Sequence, residues 1–226
     1  YIGKYKKETE KNMYNKYIFI NNNRRKKANS ESIVAEENAK ATKASAQTRK
    51  YAKGNLMQFV DDYVLVDIET TGLSPVADDI IEIGAIKVKD NQIIDSYNEL
   101  IKIDRKLSQF ITNLTGITDE MLKNGKLPET VLKEFVEFVG ENTIIGHNVN
   151  FDLGFLRNKC LKYLDYSLSN SYVDTMYMAR KLVPDSRNYK LGTLAEYFNI
   201  SYEGAHRGLR DVEITYRLYN ELRNLA

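Results

Sequence analysis

The residues of this chain whose types and spacing point to chemistry are four carboxylates and one histidine in three separated motifs. Asp67 and Glu69 lie in Val66-Asp-Ile-Glu-Thr-Thr-Gly72, Asp152 closes His147-Asn-Val-Asn-Phe-Asp152, and His206 and Asp211 bound His206-Arg-Gly-Leu-Arg-Asp211. Acidic side chains gathered from distant parts of a chain repel one another and resist burial unless a divalent cation holds them. The pattern therefore predicts a two-metal site. Both histidines of the chain, His147 and His206, fall inside these motifs.

Each acid must be presented by an element that turns it inward. Tyr63-Val-Leu-Val-Asp-Ile68 is short, apolar and β-branched, as expected of a strand covered on both faces. Asp67 and Glu69, two residues apart, leave the same face of that strand about 6 Å apart, close enough to share one cation and address a second. Gly72 permits a sharp turn and a close approach by a ligand, and Leu73 projects an apolar side chain beside whatever binds. Asp152 is expected near the start of a helix that follows a buried strand, Thr143–Gly146, and shares a face with Phe155 and Leu156. His147 and Asn148, at the end of that strand, read as pocket-lining polar groups. Asp211 shares a helical stripe with Leu218, Leu222 and Leu225, an acid on an inward face. His206, five residues earlier, does not share that face and is expected on a loop free to swing over a substrate, as a base that activates water. Asp78 and Asp79 read as loop residues, Asp119 and Glu120 as a helix start, and Asp174 as a helix cap; none is assigned to the site.

The other elements follow from the same patterns. Ile80–Val88 and Gln92–Ile101 read as strands joined at Asp90-Asn91 by a hairpin turn, so the sheet begins antiparallel. Pro128–Val139 reads as an amphipathic helix, Tyr172–Asp174 as a short strand, and Leu191–Phe198 and Leu209–Leu225 as helices. A meander followed by strands alternating with helices gives an α/β fold with a sheet of mixed direction.

Charge divides the chain at about residue 60. Residues 1–60 carry 14 Lys plus Arg against 5 Asp plus Glu, while residues 61–226 carry 19 against 26, so a near-neutral total conceals a basic arm and an acidic body. The arm, residues 1–60, is expected to be a partly helical or disordered extension, with an Ala-, Glu- and Lys-rich helix over 31–52 stopped by Gly54. The body, 61–226, is the expected catalytic domain. A single cysteine, Cys160, allows no intramolecular disulfide and reads as a core residue. With two histidines it falls short of a closed zinc site, so a metal here should be a hard ion held by oxygen. No apolar run is long enough for a membrane span and no targeting pattern opens the chain, so a cytoplasmic location without membrane partners is expected. The first residue, Tyr1, is compatible with a piece of a longer protein.

In this order, Asp-x-Glu-Thr-Thr-Gly-Leu, His-Asn-x-x-Phe-Asp and His-x-x-x-x-Asp closely resemble the three motifs of the histidine-containing branch of the DEDD-type 3'-to-5' exonucleases. The body is most similar to the proofreading exonucleases of bacterial DNA polymerase III, both the epsilon subunit and the domain inserted in the Gram-positive replicative polymerase. The resemblance spans about Tyr63 to Leu225 and includes Leu114-Thr-Gly-Ile-Thr-Asp119 and Lys190-Leu-Gly-Thr-Leu194.

The resemblance implies a ribonuclease-H-like fold with a five-stranded mixed sheet flanked by helices. It also implies removal of nucleotides from 3' ends with two Mg²⁺ or Mn²⁺ ions. By motif, Asp67 would bridge both ions, Glu69 and Asp211 would complete the site of the attacking water, Asp152 would serve the second ion, and His206 would be the general base. Leu73 would wedge against the terminal base with Thr70 near the 3' hydroxyl. Gly72, His147, Asn148 and Phe151 complete the expected substrate contacts. Single-stranded or frayed 3' ends of DNA are the implied substrate, and a DNA polymerase the implied partner. RNA trimming by the same chemistry and a non-catalytic nucleic-acid-binding or polymerase-tethering module are the alternatives. Arg207 and Arg210 stand where many relatives carry small residues; they are read as phosphate contacts or solvent-facing side chains.

Overall fold

The computed structural model describes residues 58–226. The arm's expected helix lies outside the described residues. Five strands form one sheet in the order β3-β2-β1-β4-β5, with β1 Tyr63–Thr70, β2 Ile80–Lys89, β3 Gln92–Leu100, β4 Thr143–Gly146 and β5 Tyr172–Asp174. The first three pair antiparallel, whereas β4 runs parallel to β1 and β5 parallel to β4. The turn between β2 and β3 is made at Asp90 and Asn91, both at positive φ, as a two-residue hairpin with right-handed strand twist requires.

Seven helices complete the described residues: α1 Gln109–Thr115, α2 Asp119–Lys123, α3 Pro128–Val139, α4 Asn150–Leu164, α5 Thr175–Leu182, α6 Leu191–Tyr197 and α7 Gly208–Asn224. Their starts follow local chemistry. Ser108 and Thr118 accept the backbone N–H of Ile111 and Met121, Asp174 caps α5 by accepting from Met176, and Pro128 occupies the first turn of α3.

The two faces of the sheet bury different helices. Val64, Val66 and Ile68 of β1 pack with Phe135 and Val139 of α3 and Leu153, Phe155 and Leu156 of α4. Tyr63 and Leu65 face Leu194 of α6 and Val212, Leu218, Tyr219 and Leu222 of α7. Leu225, expected on the inward stripe, lies beyond the end of α7 and is 52% exposed. Cys160 is buried in the first of these cores.

Two features of β1 prepare the site. Its pairing with β4 ends at Leu65 opposite Ile145, so the strands part and the β1 backbone beyond is unpaired on that side. Its register with β2 slips between Glu69 and Thr70, leaving Ile81 without a partner on β1. Ile81 turns into a third cluster with Ile111, Ile117 and Leu122.

Candidate active site

Asp67 and Glu69 leave β1 on the face covered by α7, beyond the last apolar residue on that face, Leu65. Opposite Asp67 across the ladder is Gly84. A methyl group on Gly84 would lie 2.1 Å from the carbonyl carbon of Gly208, and one on Gly208 would lie 2.8 Å from the nitrogen of Gly84. Two facing glycines thus let the first turn of α7 rest directly on the sheet. That contact delivers Asp211, one turn into α7, to the β1 acids: carboxylate oxygens of Asp67, Glu69 and Asp211 all lie within 4.8 Å of one another.

Asp152 reaches the site from the other side of β1. In the first turn of α4, its Oδ1 accepts the N–H of Ile68 at 3.1 Å, the donor left free where β1 and β4 separate. It stands outside the three-carboxylate group, yet it is the foremost charged neighbour acting on Asp67.

Burial and mutual repulsion dominate the electrostatics. Burial, then the charges of Asp152, Asp211 and Glu69, raises Asp67 well above the usual carboxylate range. Glu69 is pushed to about 8, first by burial and then by Asp211 and Glu82. Burial also raises Asp152 and Asp211, against the backbone N–H groups of Ile68 and His206 that favour their charged forms. Asp211 Oδ2 accepts the His206 N–H at 2.9 Å, while Oδ1 is buried with no hydrogen-bond partner among the described residues. An orphaned carboxylate oxygen beside two further carboxylates is a donor set for a hard divalent cation and suits no neutral ligand as well. Asp67, Glu69 and Asp211, with Asp152 adjacent, therefore fit a metal.

His206 sits in the loop before α7 at φ +66°, an uncommon conformation for a residue with a side chain. The bond to Asp211 fixes its backbone, while its ring is exposed and meets Tyr202 edge-on, centroids 6.2 Å apart. The loop is thus anchored at the backbone, a tighter arrangement than the freely swinging one expected. Tyr202 was not singled out in the sequence. It lies close enough to Asp211, Asp67 and Glu69 for their charges, after burial, to raise its hydroxyl pKa.

The remaining expected site residues divide. Leu73 is 84% exposed just past β1, free to meet a ligand. Thr70 is buried and donates to the Gly72 carbonyl at 2.6 Å, which shapes the turn. The space left by the absent Gly72 side chain is filled by the Asp78 carboxylate, 2.4 Å from where a methyl group would sit, so this glycine admits a protein group. Asp78 and Asp79 both pair with Arg105, which also reaches Thr71, and so staple the loop after β1. Asn148 is exposed at φ +61°, its N–H held by Asp174 Oδ1 at 3.0 Å. Phe151 is half-buried and packs on Phe155 at 5.1 Å. His147 has both ring nitrogens engaged: Nε2 lies 2.8 Å from the Tyr189 carbonyl and Nδ1 2.9 Å from Thr175 Oγ1. A carbonyl only accepts, so Nε2 carries the proton, and burial lowers this ring's pKa and keeps it neutral. His147 thereby ties the end of β4 to α5 and the loop before α6.

Neither arginine of the last motif stands free for phosphate. Arg210 donates to the Glu203 and Ser201 carbonyls and to Glu213. Arg207 forks onto Glu82, Nη2 to Oε1 at 2.8 Å and Nε to Oε2 at 3.1 Å. Glu82, fully buried and paired in register with Glu69, is a fifth carboxylate at the site that sequence reasoning missed. A lone acid inside Ile80-Ile-Glu-Ile was the available signal.

With this geometry established, comparison with known proteins gives the class. Residues 64–219 match the model of the Exonuclease (RNase_T) family, and the chain belongs to that family. At the level of particular proteins, it is 41% identical over 158 residues to a DNA polymerase III PolC-type of Caldanaerobacter subterraneus subsp. tengcongensis, covering 70% of this chain and 11% of that protein. It is 40% identical over 168 residues to the DNA polymerase III PolC-type of Bacillus subtilis, covering 74% of this chain and 12% of that protein. The chain thus spans about a tenth of the length of these relatives. Among solved structures, Exonuclease X in complex with 5' overhanging duplex DNA aligns with a TM-score of 0.59 at 25% identity, covering 72% of this chain and 91% of that one. The E. coli ExoI-ssDNA complex aligns with a TM-score of 0.64 at 22% identity, covering 74% and 41%, a likeness of fold. The expected mixed five-stranded sheet flanked by helices is the observed one. No described helix is long and apolar enough to cross a membrane.

Proposed function

We propose that this chain is a 3'-to-5' exonuclease that hydrolyses phosphodiester bonds at 3' ends of DNA in the setting of a replicative polymerase. The observation that carries this reading is the convergence of Asp67, Glu69 and Asp211 within 4.8 Å, with one Asp211 oxygen buried and without a hydrogen-bond partner among the described residues. DNA is the favoured substrate because the relatives are DNA polymerases by name and Exonuclease X was solved with DNA. A proofreading role and a partner polymerase rest on the same relatives, of which this chain matches only a small part.

Asp67, Glu69, Asp211 and Asp152 would hold two divalent ions, Mg²⁺ or Mn²⁺. When bound, such ions neutralise charge on the phosphodiester and lower the pKa of water. The protein's own residues would do the rest. His206, exposed on a loop fixed by its own N–H, would take a proton from the attacking water at an imidazole nitrogen. Leu73 would meet the terminal base, with Thr70 holding the turn that presents it. Phe151 and Asn148 would border the strand from the α4 side.

Digestion of matched 3'-labelled and 5'-labelled DNA and RNA strands with Mg²⁺ or Mn²⁺ tests the proposal. The expected outcome is early release of the 3' label from DNA, none with chelator, and a loss of more than about 10²-fold in Asp67→Asn, beyond the loss typical of groups that only support metal ligands. Preference for RNA would select the trimming alternative. Binding of strands without hydrolysis would select the non-catalytic one.

A further inference from the structure

The fifth carboxylate has no place in the roles assigned above. Glu82 is buried completely, on the sheet face of Asp67 and Glu69 and opposite Glu69 in the ladder. An acid there would be one more negative charge at the cation site. Instead its oxygens are saturated. Oε2 accepts the Gly208 N–H at 2.9 Å and Arg207 Nε at 3.1 Å; Oε1 accepts Arg207 Nη2 at 2.8 Å and Asn98 Nδ2 at 3.4 Å.

The donors define the purpose. Gly208 is the first residue of α7, and its N–H is one that the helix itself leaves without a partner. Arg207 immediately follows His206, and α7 carries Asp211. Glu82 on β2 therefore grips the side chain of Arg207 and the backbone of Gly208, the two residues that follow His206 and open the helix of Asp211, where the Gly84–Gly208 contact brings helix and sheet together. The planar two-pronged fork fixes direction as well as distance, which an ammonium point charge would not.

We infer that Glu82 and Arg207 are positioning residues: a charge-neutral clamp that sets His206 and Asp211 against Asp67 and Glu69 while keeping a fifth acid from competing for cation. This inference rests on the exonuclease reading. It touches neither substrate nor ion directly, so its effect should be on turnover and not on strand affinity. Misplacement of a reacting group by about 1 Å can lower rate by about 10²-fold.

The test uses the full chain with a 3'-labelled DNA strand and four proteins: wild type, Arg207→Lys, Arg207→Met, and the double variant Glu82→Gln/Arg207→Met. Arg207→Lys keeps the charge and the fold; kcat should fall several-fold, roughly, with KM within about twofold, because the fork is lost. Arg207→Met should fall further, toward about 10²-fold, with lower thermal stability from an unpaired buried carboxylate. The double variant removes that stranded charge, so its melting temperature should recover while its kcat remains low. Recovery of kcat together with melting temperature would make the pair merely structural and overturn the inference. Wild-type kcat in Arg207→Lys would overturn it as well, even if the other variants fail to fold. An inactive wild-type protein would instead count against the exonuclease reading itself.

Discussion

At the scale of single residues, the site is held in tension that a cation would relieve. Glu69 takes up its proton at about 8 in place of 4.5, so between those values the folded chain binds a proton that the unfolded chain has released. Asp67, Asp152 and Asp211 are raised in the same direction, chiefly by burial. The unfolded state therefore binds fewer protons than the folded one, and stability must fall as pH rises through this window. Metal-free protein should melt lower at pH 9 than at pH 5, by several degrees at roughly 2 to 4 °C per kcal/mol for a chain of this size. Added Mn²⁺ should raise the melting temperature more at the higher pH, where protons compete less with the cation for these carboxylates. A flat metal-free curve would show that these carboxylates do not repel as their burial demands. His206 supports a second prediction. Its backbone holds Asp211 and its exposed ring meets Tyr202 edge-on, so His206→Ala should retain the fold and Mn²⁺ binding. Hydrolysis should slow by roughly 10²- to 10⁴-fold, the range for a lost general base. Near wild-type turnover would assign the proton to another group.

At the scale of elements, the decisive contact is a helix end laid on a strand. Gly84→Ala would place a methyl group 2.1 Å from Gly208, so α7 must retreat and carry Asp211 with it. The expected result is a loss of about 1 to 3 kcal/mol, typical of overpacking, measured by denaturant unfolding. A matching loss of Mn²⁺ affinity should appear by calorimetry. An Ala variant with unchanged metal affinity would mean that the site tolerates the retreat. This contact also marks the limit of what the sequence discloses. The strands β1, β4 and β5 and the helix α3 were legible because apolar runs and a Leu-Pro entry are local signals. The convergence of Asp67, Glu69 and Asp211 was legible because acids on apolar stripes are conspicuous at short range and because three motifs in order resemble a known family. Helix α1 was not foreseen, since seven residues are too few to display a period and only its Ser108 cap signals it. The pairing of Glu82 with Arg207 spans 125 residues, and Gly84 and Gly208 became meaningful only when the fold brought them face to face. His147, prominent in its motif, proved to have both ring nitrogens engaged within the fold, which no spacing rule reveals.

At the scale of the whole molecule, charge is unevenly shared. Residues 61–226 carry a net −7 and gather carboxylates where, on the proposed function, a polyanionic strand would arrive, whereas residues 1–60 carry a net +9. Cations held at the site would offset only part of that repulsion. A basic segment on the same chain raises the local concentration of nucleic acid by releasing counterions from it, an effect that weakens steeply with salt. Residues 1–60 would then recruit strands and leave the chemistry to residues 61–226. Deleting residues 1–58 should then raise KM for long single strands and flatten the dependence of binding on salt. Turnover of a small nucleotide ester, which offers no polyanionic strand for a basic segment to hold, should not change. Equal salt slopes for the full and shortened chains would make the arm a connector without a binding role. A simultaneous loss of turnover on the small ester would show instead that residues 1–58 support the catalytic body itself.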